Sequence, residues 1–143
     1  MQVALSQAQL AFQQGEVPVG AVLVDANNQL LAAGYNQPIS TCDATAHAEI
    51  VALRMACAGR QNYRLVDTTL YVTLGPCTMC FGALIHARVA RLVFAASEPK
   101  AGVCGSQLAL QSQDFYNHKM QVEGGLLTDQ SAALLKQFFA ERR

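Results

Sequence analysis

Thr69-Leu70-Tyr71-Val72-Thr73-Leu74-Gly75-Pro76-Cys77-Thr78-Met79-Cys80 is the stretch whose reading decides the fold. The β-branched and aromatic residues of Thr69 to Leu74 read as a central strand. Pro76 suits the first position of a helix, because its missing N–H would be unpaired there anyway, and that helix runs to about His86. Arg91 to Ala96 reads as another strand. Upstream, Ala4, Ala8, Ala11 and Phe12 recur at helical spacing, with Gly15 as a stop. Val19 to Val24 is a buried-strand run, Asp25 to Asn28 a turn, and Gln29 to Tyr35 the second arm of a hairpin. Asn36 to Thr45 reads as loop, and Thr45 or its neighbour caps a helix from about Ala46 to Ala58, ended by Gly59. Downstream, Glu98 to Asn117 is a long connection with some helical material, Met120 to Glu123 a last strand, and Thr128 to Arg142 a closing helix. This order predicts an α/β protein, residues 1–143 forming one domain with a sheet sandwiched between helix layers.

Composition sets limits on function. Fifty-two per cent hydrophobic residues against 14 per cent charged suffices for a substantial core and argues against disorder. The longest apolar run, Val17 to Val24, is too short to span a bilayer, so no membrane partner is expected. Met1 to Gln14 lacks the positive start of a signal peptide, which makes a cytoplasmic protein the default. Ten basic and ten acidic residues cancel, and the pI is about 6.8. A general nucleic-acid coat would be basic, so any binding of that kind must be local.

The chemistry lies in His47-Ala48-Glu49 and Cys77-Thr78-Met79-Cys80. One imidazole and two thiols fall one short of the four ligands that close a structural zinc site, and a catalytic zinc keeps that position open for water. Cys77 and Cys80 sit at i and i+3, so both sulfurs reach one ion. A helix N-terminus favours the thiolates that bind it. His47 and Glu49, at i and i+2, converge only if their helix begins near His47. Glu49 then supplies a carboxylate that moves protons to and from the water. A thioredoxin-like redox pair is the competing reading of Cys-x-x-Cys, and the intervening Thr-Met argues against it. His86 is expected to meet free carbonyls at a helix end and His118 to face solvent. Cys42, Cys57 and Cys104 read as small packing residues, with Cys42 and Cys104 in loops that approach the site.

Paired His-x-Glu and Pro-Cys-x-x-Cys motifs are the signature of zinc-dependent nucleobase deaminases. The likeness extends further. Glu16 to Val24, Gly34-Tyr35-Asn36, Thr45 to Ile50, Asn62 to Leu65, Leu70 to Leu74, Met79-Cys80 and Phe138-Phe139 resemble bacterial tRNA adenosine deaminases over nearly the whole chain. The resemblance implies a cytidine-deaminase-like three-layer α/β/α sandwich with a mixed central sheet of about five strands. It also implies hydrolytic deamination of adenosine to inosine at the wobble position of a tRNA anticodon stem-loop, in a homodimer with one Zn2+ per subunit. His47, Cys77 and Cys80 would hold the zinc, which lowers the pKa of bound water, and Glu49 would carry the protons. Asn36 matches a residue that hydrogen-bonds the target base, the Ala48 backbone is a further contact, and Glu98 and Lys100 match positions near the RNA. Arg142-Arg143 is a candidate for phosphate contact.

Three positions depart from the family pattern. Gly75 stands where Glu is common, Glu98 where Asp is usual, and Ala44 in place of Pro, which should loosen the loop before His47. The first helix also starts later than in relatives. A deaminase of free guanine, cytosine or a nucleoside shares the same metal site and remains a rival. A non-catalytic zinc-binding partner subunit is a second rival, against which the intact Glu49 argues.

Overall fold

A computed structural model describes residues 1–143. Helix α1 (Gln2–Gln13) leads through Gly15, at φ +78°, into strand β1 (Gly20–Val24), which turns back as β2 (Leu30–Tyr35). Then come α2 (Pro38–Thr41), α3 (Ala48–Arg60), β3 (Thr69–Leu74), α4 (Thr78–His86), β4 (Arg91–Ala96), β5 (Gln121–Gly124) and α5 (Thr128–Ala140). The five strands form one sheet in the order β2-β1-β3-β4-β5. Pairing is antiparallel from β2 through β1 to β3 and parallel from β3 through β4 to β5, so the sheet is mixed as expected.

Two glycines show how the layers form. A Cβ on Gly20 would lie 2.1 Å from the Ala4 carbonyl oxygen of α1, and one on Gly34 would lie 2.9 Å from the Ala48 carbonyl oxygen of α3. Gly34 pairs with Ala21, the neighbour of Gly20, and successive strand residues face opposite ways. The two helices therefore press on opposite faces of the hairpin, each seated directly on backbone. Helix α5 lies beside α1, and α4 beside α3, which completes the three layers. Ala4, Ala8 and Ala11 are fully buried under α1, while Leu23, Leu70, Val72, Phe81, Leu84 and Leu92 fill the core.

Several local expectations need correction. Residues 36–45 are not all loop, because Pro38 starts the short helix α2, which ends on Cys42 in the left-handed region. Helix α3 runs past Gly59 to Arg60, and Gln61, at φ +51°, is the residue that turns the chain out of it. Pro76 does not take the first position of α4: Cys77 is the N-cap and Thr78 the first helical residue, so the proline lies one step before the cap. His118 is not free in solvent, since its Nε2 lies 2.6 Å from the Val89 carbonyl oxygen. His86 is exposed at the end of α4 and meets no carbonyl. No helix is long and apolar enough to cross a membrane.

Candidate metal centre and catalytic cleft

The site forms where the parallel strands β3 and β4 end and helices α3 and α4 begin, the crevice that open α/β sheets commonly offer to ligands. His47 is the N-cap of α3 and Cys77 the N-cap of α4, both with extended backbone, and Cys80 lies one turn into α4. His47 and Glu49 therefore straddle the start of their helix, which is the condition for their side chains to converge. The Nδ1 of His47 lies 3.7 Å from Cys77 Sγ and 3.5 Å from Cys80 Sγ. All three ligand atoms fall within 4.8 Å of one another. With Zn–N near 2.05 Å and Zn–S near 2.3 Å, a tetrahedral N···S edge is about 3.6 Å. The two observed N···S separations bracket that value, as one shared zinc requires.

The same residues have displaced proton equilibria. Cys80 donates to Cys77, and this bond, aided by His47, holds the Cys77 thiol down to about 4. The mirror effect pushes Cys80 upward, since it keeps the proton Cys77 gives up. His47 is raised, chiefly through its bond with Cys77. Glu49 is 4% exposed, and burial pushes its carboxyl up to about 7, where a group can both take and give a proton near neutral pH.

His47, Glu49 and Cys77 face a cleft of about 230 Å³, with Cys80 buried behind them. Its apolar walls are Val17, Val19, Leu74 and Ala101, and its polar groups are Asn36, His47, Glu49, Cys77 and Glu98. Asn36 is nearly buried and fixed at two points: its N–H donates to the Val19 carbonyl at 3.0 Å, and its Oδ1 accepts the Ala48 N–H at 2.9 Å. That leaves its NH2 as the side-chain donor free for the cleft. Ala48 is fully buried, its N–H is taken by Asn36, and it does not line the cleft. Glu98 lines the cleft, with its Oε1 accepting the Lys100 backbone N–H at 2.7 Å, while Lys100 itself is exposed outside the lining. Gly75 also lines it, and a Cβ there would meet nothing closer than 3.4 Å, so the backbone does not demand glycine.

The loop before His47 is firmer than Ala44 suggests. Asp43 accepts from the Thr45 N–H and hydroxyl and pairs with Arg54 at 3.1 Å, so a carboxylate turn replaces the missing proline ring as the constraint. Cys104 does approach the site, packing beside Gly75 and Glu98, whereas Cys42 is exposed and Cys57 packs on the core. Arg142 is not a free cation: its guanidinium lies 3.5 Å over the Phe138 ring and donates to the Phe138 carbonyl. Sequence reasoning missed Glu16, a carboxylate only 2% exposed, whose Oε1 accepts the Ser40 N–H at 2.7 Å. Nothing local marks that residue, because its partner is 24 positions away.

The family described as cytidine and deoxycytidylate deaminase zinc-binding region matches residues 1–96. The chain belongs to this family. It is 48% identical to the tRNA-specific adenosine deaminase of Haemophilus influenzae over 143 residues, which is 100% of this chain and 83% of the relative. It is 39% identical to the enzyme of the same name from Bacillus subtilis, covering 100% of this chain and 88% of the relative. A solved structure from work on A-to-I editing by tRNA:A34 deaminases at the wobble position superposes with a TM-score of 0.91 at 42% identity, covering 94% of this chain and 97% of that one. A guanine deaminase from Nitrosomonas europaea superposes with a TM-score of 0.81 at 27% identity, over 97% of this chain and 82% of that one. The mixed five-stranded sandwich expected from sequence is thus the fold of this family.

Proposed function

We propose that this chain is a zinc-dependent hydrolase that converts adenosine to inosine at the wobble position of a tRNA anticodon. The observation that supports the chemistry is the placement of buried Glu49 in the same cleft as His47 and Cys77, two of three clustered ligand residues, with Cys80 buried behind them. Full-length similarity to tRNA-specific adenosine deaminases supports the choice of substrate.

His47, Cys77 and Cys80 would hold one zinc per subunit. When bound, the ion supplies the positive charge that makes water a nucleophile near neutral pH. The adenine must leave the stack of the anticodon loop to reach the cleft, which costs less in a single-stranded loop than in a duplex. Its apolar faces rest against Val17, Val19 and Leu74, and the Asn36 NH2 donates to the base edge. The Ala48 N–H acts through Asn36, by fixing how that amide points. Glu49 takes the proton released as water attacks C6, then returns protons to the ring nitrogen and to the departing ammonia, so that adenosine plus water gives inosine plus ammonia. Glu98 and Lys100 contact the flanking RNA backbone.

The same reading takes residues 1–143 as one deaminase domain of a cytoplasmic homodimer. Deamination of free guanine is the second reading, favoured by the superposition on guanine deaminase. The test incubates zinc-loaded protein with an anticodon stem-loop carrying wobble adenosine, and separately with guanine, cytidine and adenosine. Inosine in the RNA alone, abolished in Glu49→Ala with zinc retained, is the expected result. Turnover of free bases with untouched RNA overturns the proposal, and bound zinc with no turnover at all indicates a partner subunit.

A further inference from the structure

Two carboxylates are buried in this fold, and the proposed reaction uses only Glu49. Glu16 is the other, and it has no cation within ion-pair distance. A buried carboxylate without a cation is costly unless its oxygens are hydrogen-bonded. Its Oε1 accepts the N–H of Ser40 at 2.7 Å, and Ser40 is the third residue of α2, a helix whose own N-cap makes no side-chain bond. Glu16 thus caps α2 from another part of the chain.

The location gives this bond its consequence. The backbone of Glu16 is anchored by its N–H to the Ala11 carbonyl at the end of α1, and Val17 and Val19 just after it form a wall of the cleft. On the other side, residues 36–47 form a strap closed at its base by the Gln37 N–H to Ala46 carbonyl bond at 2.9 Å. The strap begins at Asn36 and ends at His47, so it carries a base-facing amide and a metal ligand at its two ends. Asn36 joins it to Val19 at the base. Ser40 to Glu16 is the second junction, near the tip, where Ile39 is 73% exposed and Thr41 and Cys42 are exposed too.

We propose that Glu16 is a positioning residue for the reaction, holding the Asn36–His47 strap at a set distance from the Val17–Val19 wall so that the Asn36 amide and His47 stay in register with the base. The inference rests on the RNA deamination proposed above. The bond requires an acceptor and not a charge, which defines a clean pair of variants. Glu16→Gln keeps the oxygen, and Glu16→Met keeps the approximate volume without it. Both side chains are close to glutamate in volume, so neither carries the cavity of an alanine variant.

Amide exchange of residues 37–42, zinc content, and kcat/KM on the anticodon stem-loop are measured for both. In Glu16→Met the Ser40 amide is expected to exchange at least 10-fold faster and kcat/KM to fall about 10- to 100-fold with zinc content unchanged, as small misplacements of binding groups do. Glu16→Gln is expected to match the wild type in all three. Wild-type exchange or wild-type kcat/KM in Glu16→Met overturns the proposal, as does a Glu16→Gln variant as impaired as Glu16→Met. Wild-type protein that leaves the RNA untouched overturns the substrate reading instead, and the exchange contrast then judges the tether by itself.

Discussion

Removing the Asn36 side chain tests whether one amide supports both the start of α3 and the metal centre. Its Oδ1 is the acceptor for the Ala48 N–H at 2.9 Å, and Ala48 is fully buried, so water cannot readily replace the lost partner. An unsatisfied buried donor costs about 1–3 kcal/mol. For a domain of this size each kcal/mol lowers Tm by about 3 °C, so Asn36→Ala should melt about 3–9 °C below the wild type. His47, the residue before Ala48, depends on the same turn, and loss of a supporting hydrogen bond around a metal ligand weakens metal affinity about 10- to 100-fold. Asn36→Asp keeps an oxygen for the Ala48 N–H and replaces only the NH2 donor. It should recover most of the lost stability and zinc affinity while remaining poor in turnover. Thermal melts of the zinc-free protein and a competitive zinc titration are the assays. If Asn36→Ala melts and binds zinc like the wild type, the bond to Ala48 is not what organises this end of α3, and the reasoning fails.

Other outcomes follow from the same geometry. Gly20→Ala would place a Cβ 2.1 Å from the Ala4 carbonyl oxygen and 2.4 Å from the Ala8 N, both backbone, so expression without soluble folded protein is expected, and a normal melt would refute the seating of α1. The Asp43 carboxyl is held below its ordinary 3.8, first by the Thr45 hydroxyl. A depressed folded pKa contributes stability above the unfolded value and loses it as pH falls through the folded one, so Asp43→Asn should show a flatter decline of Tm below pH about 4; unchanged acid curves would contradict this. Chelation of zinc should expose Cys77, at about 4, to iodoacetamide well before Cys104, at about 12. Mass spectrometry showing Cys104 labelled first would refute the charge distribution drawn for the site.

The parts legible in sequence were those set by residues close together along the chain. Strands β3 and β4 matched their predicted bounds because their apolar patterns end at Gly75 and Ser97. The cluster of His47, Cys77 and Cys80 was legible because Cys77 and Cys80 share one turn, and because His47 had to cap its helix for Glu49 to lie beside it. Elements that depend on distant partners were hidden. Helix α2 has four residues and no side-chain cap of its own, so its sequence reads as loop until Glu16 is brought to it. The solvent reading of His118 failed for the same reason, since its partner, the Val89 carbonyl, lies 29 positions away. Strand order was equally illegible, for nothing in the β1 sequence says that it sits between β2 and β3.

The division of the cleft between helix starts and loops bears on how such a protein changes over time. The candidate ligands His47, Cys77 and Cys80, with Glu49, are carried at the N-caps and first turns of α3 and α4, seated on the core, where a shifted residue disturbs packing throughout. Glu98 and Lys100 belong instead to the connection that follows β4, at the open side of the cleft, where a substitution disturbs less packing. A change in that connection can therefore alter what the cleft accepts while the His47, Cys77 and Cys80 cluster and Glu49 stay in place. A guanine deaminase superposes on this backbone at 27% identity, so the same sheet and helices serve an enzyme of that name.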